Sequence, residues 1–224
     1  MDINVYVQPQ HFKDFNGYSV VVFGQTYFGI PKSHGVIHLD KIDHRMFPEI
    51  IAKPSLREIE DAITEKWVRS LDGKQPHLIR SSRGYSIVAY KGIFFGIPKM
   101  LGEVRLEEID LDDVPSIINK PSLNDLEDEI ADRWARSMPD KNPRLVSDCG
   151  AFNIVFFNGM YFGIPKAWGD FRLEVGDAAS KPGLIQDQTL QGAKAHARAR
   201  EEAPARSSVG ALVASILRRI KGES

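Results

Sequence analysis

Two hydrophobic periods alternate along this chain. Strand-like apolar runs, Ser19 to Phe23, Ser86 to Tyr90 and Asn153 to Phe157, are each followed after two residues by a second aromatic run, which predicts three β-hairpins. The linking pairs are Gly24-Gln25, Lys91-Gly92 and Asn158-Gly159. The first suits a type II′ turn, the third a type I′ turn, and the second is permissive through its glycine. A two-residue turn sets the register, placing Val21 opposite Phe28 and Val20 opposite Gly29, with Val88 and Phe95 or Val155 and Phe162 as counterparts. One face then carries Val21, Phe28 and Ile30 and reads as core. The other carries Val22 with Tyr27, Ala89 with Phe94, and Phe156 with Tyr161, beside a glycine gap. Pro31, Pro98 and Pro165 cannot donate to a ladder, so the second strand must end there or become an edge. A third short strand is expected after Gly35, Gly102 and Gly169, at Ile37 and Leu39, Val104 and Leu106, or Phe171 and Leu173.

The period then changes to that of a helix. Leu56, Ile59, Ile63 and Trp67, and again Leu123, Leu126, Ile130 and Trp134, follow i, i+3, i+7, i+11 spacing and form one stripe. Ser55 with Glu58 makes a capping box, Ser122 with Asp125 a weaker one, and the preceding proline holds the chain out of the helix until the cap. The tryptophan is expected to lock each helix onto its own sheet or the next one.

These patterns recur. Phe28-Gly29-Ile30-Pro31-Lys32 returns as Phe95 to Lys99 and as Phe162 to Lys166, both intervals being 67 residues. Pro9, Pro76 and Pro143 keep the same register, as do Tyr18, Tyr85 and Phe152. In the third copy Lys181-Pro182 arrives six residues early for Lys53-Pro54 and Lys120-Pro121, and the tryptophan column is empty. The expected fold is therefore α+β: three tandem repeats of about 67 residues, each a β-hairpin plus a short third strand and a helix, with a C-terminal helical tail. Repeat 1 covers 1–75, repeat 2 covers 76–142, and a degenerate repeat 3 covers 143–190. The copies are expected to stack, each covering its neighbour, with a closed pseudo-threefold ring as the alternative.

Residues 191–207, rich in alanine, arginine and glutamate, read as a linker or a frayed helix. After it, 208–224 form an amphipathic helix whose stripe is Val209, Leu212, Val213, Ile216, Leu217 and Ile220, flanked by Arg218, Arg219 and Lys221. That stripe is expected to dock onto a protein partner, with peripheral contact to an anionic membrane surface as the second reading.

Composition narrows the function. Lys and Arg number 29 against 30 Asp and Glu, a net charge of -1, so no global field draws the chain to nucleic acid. The charge is split, however, because 176–224 hold eight Lys or Arg against five Asp or Glu. A single cysteine, Cys149, excludes a disulfide framework and a cysteine-based metal site, and suits a reducing cytosol. The start carries no basic segment followed by a long apolar run, and the reading is a cytoplasmic protein.

No Walker loop, G-x-G-x-x-G, G-x-S-x-G or H-E-x-x-H occurs, and no catalytic residue, metal site or cofactor is assigned. His34, His38 and His44 are close in sequence but are not repeated, and read as loop residues. The repeated Lys32, Lys99 and Lys166 follow a strand-ending proline. With Tyr27, Phe94 and Tyr161 they form the candidate ligand site, an ammonium beside an aromatic platform suited to a sugar ring or an anionic group. The competing reading is that the lysines block sheet aggregation while the aromatics fill the core.

The phrase GYSIVAYKGIFFGIPKMLGEVRLEEID and its two counterparts resemble an uncharacterised bacterial repeat, of the form G-Y-N-I-V-x-Y-x-x-x-F-Y-x-I-P-x-x-x-G. Such segments stand singly or in tandem beside glycosyltransferase and methyltransferase domains of surface-polysaccharide pathways. The resemblance covers about 25 residues in each copy, is silent on catalysis and implies an accessory module associated with glycan assembly. The expected function is a non-catalytic module for protein or glycan recognition or scaffolding. The alternative is an enzyme, or an enzyme subunit, in glycosyl transfer.

Overall fold

The structure, a computed structural model, describes residues 8–35, 37–39, 43, 46–138, 142–173 and 181–201. The predicted stripe from Val209 to Ile220, the rest of 202–224 and His44 lie outside the described residues. Three four-stranded antiparallel sheets follow one another along the chain. The first contains β1 (Gln10–Phe15), β2 (Tyr18–Phe23), β3 (Thr26–Pro31) and β4 (Ile51–Lys53), in that order. Helix α1 (Leu56–Ser70) follows it. The second contains β5 (His77–Ser82), β6 (Tyr85–Tyr90), β7 (Ile93–Pro98) and β8 (Ile118–Lys120), followed by α2 (Leu123–Ser137). The third contains β9 (Arg144–Cys149), β10 (Phe152–Phe157), β11 (Met160–Pro165) and β12 (Ile185–Asp187), followed by α3 over 190–201. The described residues fall into two compact units divided between Leu126 and Glu127, inside α2.

The predicted hairpins form in the expected register, with Val21 facing Phe28 and Val20 facing Gly29, and the other copies alike. Lys91 and Gly92 both have positive φ, as do Asn158 and Gly159, which type I′ requires; in the first copy only Gly24 does, as type II′ requires. Each β3-type strand ends at its proline, and a short 3-10 turn follows.

Two elements differ from the sequence reading. The expected third strand is absent: 37–39, 104–106 and 171–173 are not strands. Their apolar side chains instead cross the sheet, Ile37 and Leu39 joining Phe28, Ile30 and Ile50 in one cluster. The place beside β3 is taken by β4, where Phe28 faces Ala52 and Gly29 faces Ile51. Each sheet also begins one strand earlier than expected, with β1, β5 and β9. These strands are polar and outermost, so they lack the hydrophobic run that marks a central strand. All three carry a register shift at one column, Phe12, Ile79 and Val146, which is a repeated β-bulge.

Both faces of a sheet are therefore covered, one by the crossing loop and one by the helix. On the helix side of the first sheet, Val20, Ile59 and Ile63 are wholly buried. Gly29 is what permits the close approach: a methyl built there would lie 3.0 Å from Ile63 Cδ1. The Ser55 hydroxyl accepts the Glu58 amide at 3.2 Å, so the helix starts where the cap predicts.

Repeat 3 is less degenerate than its lysine-proline pair implies, and of the two readings of 191–207 the helical one is what the structure has through 201. Ile185–Asp187 falls 67 residues after Ile118–Lys120, and Leu190 falls 67 after Leu123. The capping column Ser55, Ser122 is continued by Thr189, whose hydroxyl accepts the Gly192 amide at 3.0 Å. Ala193 and Ala197 replace Leu126 and Ile130 and are fully buried in the same cluster as Val146, Ile154 and Tyr161. Small side chains let this helix lie close, so the fold survives a change that erases the apolar signal.

The tryptophans reach the following sheet. Trp67 of α1 packs edge-on against His77 of β5, with ring centroids 5.8 Å apart, and Trp134 packs against the cluster that includes Val146 of β9. Trp67 is only half-buried. Trp67→Ala should therefore lower stability by about 1 to 2 kcal/mol, below the roughly 3 to 5 of a fully enclosed aromatic. A urea unfolding series measures this, and a loss above about 3 kcal/mol would contradict the geometry.

Candidate functional site

Lys32, Lys99 and Lys166 are exposed, but they do not converge with the aromatic residues of their hairpins. Tyr27 lies at the β2–β3 turn end of its strand, facing Val22, whereas the Lys32 amide bonds the Gly17 carbonyl at the other end. Five residues of extended chain separate the two, roughly 16 Å at the rise of a strand. Phe94 is 2% exposed and Tyr161 not at all, so neither ring presents a platform. The glycine gap beside Tyr27 is filled by Ile63 and Ile59 of α1.

The lysines have local partners instead. Lys32 Nζ lies 2.8 Å from Asp14, and Lys166 Nζ lies 2.6 Å from Asp148, one copy-pair column. Lys32, with His11 and Ser19, holds the Asp14 carboxyl well below its ordinary range. Ser81 occupies that column in repeat 2, so Lys99 has no carboxylate there.

Sequence reasoning missed the polar groups that are most constrained. The Tyr161 hydroxyl donates to Asp132 of α2, and burial, then that carboxylate, pushes the phenol pKa upward. Arg136 bonds Asp132 at 2.9 Å, covers the Phe156 and Tyr161 rings at 5.6 and 5.7 Å, and donates to the Gln188 carbonyl at 3.1 Å. Lys194 of α3 pairs with Asp128 of α2 at 2.5 Å, both side chains 11% exposed. Cys149 is buried, its thiol raised by that burial, and it points at the Lys194 carbonyl 3.8 Å away. In the first unit, Arg80 of β5 bonds Asp61 of α1 at 2.7 Å, and Glu65 of α1 accepts from the Ser122 hydroxyl and the Leu123 amide at the start of α2.

A sequence signal for these contacts exists. Asp61-Ala62-Ile63-Thr64-Glu65-Lys66-Trp67-Val68 and Asp128-Glu129-Ile130-Ala131-Asp132-Arg133-Trp134-Ala135 share the pattern D-x-I-[TA]-[ED]-[KR]-W-[VA]. The acidic positions, read singly, look like a solvated helix face. Their recurrence at the repeat period marks them as contacts to the next copy.

A shallow depression of about 170 Å³ lies between the end of α1 and the β6–β7 turn, lined by Val68, Leu71, His77, Ala89 and Tyr90 among others, with no carboxylate. No group of three or more His, Cys, Asp or Glu among the described residues is arranged to hold a metal ion. His34 lies 3.8 Å from Glu49 and exposed. No described helix is long and apolar enough to cross a membrane. No protein-family model, no curated protein and no solved structure matches this chain.

Proposed function

We propose that this chain is a non-catalytic tandem-repeat module that recognises another protein. The observation that carries the reading is a pair of leucines at one register of the outermost strands: Leu78 of β5 is 67% exposed and Leu145 of β9 is 58% exposed. Each stands next to the repeated bulge, which kinks the strand and opposes edge-to-edge sheet pairing. What the edge offers a partner is therefore side chains rather than a free ladder. Two of the more buried ion pairs, Asp61 with Arg80 and Asp128 with Lys194, join elements of the fold.

Recognition of a glycan through the lysine columns has less support, since Phe94 and Tyr161 are interior. The resemblance of the hairpin phrase to segments beside glycosyltransferase and methyltransferase domains points to an enzyme of surface-polysaccharide assembly as the partner. A photo-crosslinking amino acid placed at position 78 and, separately, at 145 tests the reading in the native cell. The expected result is one common adduct from both positions, identified by mass spectrometry. Absence of any adduct, together with turnover of a nucleotide sugar by the pure chain, would replace this reading by the enzymatic one.

A further inference from the structure

The helix side of the third sheet carries two helices, its own and the preceding one, and the second sheet is likewise met by the helix before it. In the second sheet the preceding helix is α1, held through Asp61 to Arg80 and Trp67 to His77. In the third sheet it is the second half of α2, held through Asp132 to Tyr161, with Ala131 and Ala135 buried among Val146, Phe156 and Tyr161. Among the described residues no helix precedes the first sheet, and its columns are less covered than those of the third. Phe12 is 52% exposed where Val146 is 2% exposed, and Val22, Tyr27 and Ile51 are half-buried where their third-copy counterparts Phe156, Tyr161 and Ile185 are buried. Phe12 and Tyr27 stand edge to face at 6.2 Å, forming an aromatic floor.

The polar groups that receive a helix are kept on this sheet. Tyr27 occupies the column of Tyr161, whose hydroxyl meets the Asp132 carboxylate, and Lys13 occupies the column of Arg80, which meets Asp61. Lys13 is half-buried and already pairs with Glu60 of α1, so a second carboxylate there would complete a network around one cation. At the other end of the chain, α3 has lost the matching pattern. Its residues at the columns of Asp61, Glu65 and Trp67 are Ala195, Ala199 and Glu201. A second copy therefore cannot supply the helix from its last repeat, and its α1 and α2 already use theirs. The segment 208–224 is basic and carries one carboxylate, Glu223, so it lacks the complementary charges.

We infer that the helix side of the first sheet is a docking site for an amphipathic helix of another protein, one that carries two carboxylates four residues apart and a tryptophan, in the pattern of α1 and α2. This rests on the protein-recognition reading and adds to it a second face, on the first sheet, with its ligand chemistry. The third sheet implies that the incoming helix lays small residues on Phe12 and Val22, as Ala131 and Ala135 are buried with Val146 and Phe156. It also implies a carboxylate presented to the Tyr27 hydroxyl, as Asp132 is to Tyr161; the second sheet implies a carboxylate on Lys13, as Asp61 on Arg80. Because α3 lacks the acidic and tryptophan columns, pairing of this surface with α3 of a second copy is not expected to build a filament.

The test uses a fluorescein-labelled peptide with the sequence of residues 121–138, titrated with the full chain and read by anisotropy. Saturable binding is expected, weakened at least about tenfold by Phe12→Asp or Lys13→Glu in the protein. It should weaken equally when the peptide carries Asp128→Lys and Asp132→Lys. A flat titration, or binding indifferent to Phe12→Asp, overturns the inference; if adducts at 78 and 145 persist, the recognition reading survives without it. Tighter peptide binding by the full chain carrying Leu212→Glu and Ile216→Glu would show that 208–224 already covers the face, and also overturns it. So does concentration-dependent self-association in sedimentation that Phe12→Asp abolishes, since the occupant would then be a second copy. Phe12 is half-exposed in a bulge, and an unchanged melting temperature confirms that Phe12→Asp folds.

Discussion

Replacing Lys194 by methionine should lower the unfolding free energy by about 3 to 5 kcal/mol, the cost of leaving a buried carboxylate without its partner. Lys194 belongs to α3 and its ammonium lies 2.5 Å from Asp128 of α2, both side chains being 11% exposed. Methionine keeps the length and apolar stem of lysine, so the lost charge dominates. The double variant Lys194→Met with Asp128→Leu removes both charges and should recover most of the loss, because a matched pair of apolar groups carries no desolvation penalty. Urea unfolding followed by circular dichroism measures both. A single-variant loss below about 1 kcal/mol would mean that α3 is not packed against α2 as the structure has it.

Ile63→Ala should cost about 2 to 5 kcal/mol, since Ile63 is wholly buried and fills the space above Gly29. The spread reflects how far the neighbours Val20 and Ile59 can close the cavity. Adding Gly29→Ala to Ile63→Ala should return part of the loss, because the new methyl enters the vacated volume. In the wild-type background Gly29→Ala instead presses against Ile63 Cδ1 at 3.0 Å and is neutral to mildly destabilising. Opposite signs for the same glycine substitution in the two backgrounds are the measurement that checks this packing. The third copy solves the same problem differently: a methyl at Gly163 would meet Ile185 and Ile154, and the helix above it carries Ala197 where α1 has Ile63.

How much of this was legible depends on the strength of each local signal. The β2–β3 hairpins were, because a two-residue turn with glycine admits one register and the flanking aromatics admit one pairing. The first strands were not, since Gln10–Phe15 and its counterparts are outermost and polar, although Asn16-Gly17 and Arg83-Gly84, all at positive φ, are turn signals that mark them. Ile37 and Leu39 alternate as a strand would, yet they alternate because a crossing loop also buries every second side chain. Repeat 3 was misaligned by its lysine and proline: Lys181-Pro182 lies before β12, while Thr189-Leu190 keeps the true period.

The candidate ligand site fared by a similar rule. Lysine and aromatic residues five apart on one strand are close in sequence and far apart in space, since an extended chain separates rather than gathers them. Acidic residues on a helix, by contrast, looked solvated and are contacts, because whether a helix face meets water depends on what the next repeat lays over it.

From the chain alone, then, came the 67-residue period, the hairpins, the caps and the apolar stripes, all set by interactions within a few residues of one another. Tertiary structure alone decided which partner each stripe finds, that β4, β8 and β12 rather than the loops complete the sheets, and that an alanine helix closes the third copy. These depend on residues tens of positions apart meeting across a sheet face, where burial is set by the neighbour's shape and not by the sequence beneath it.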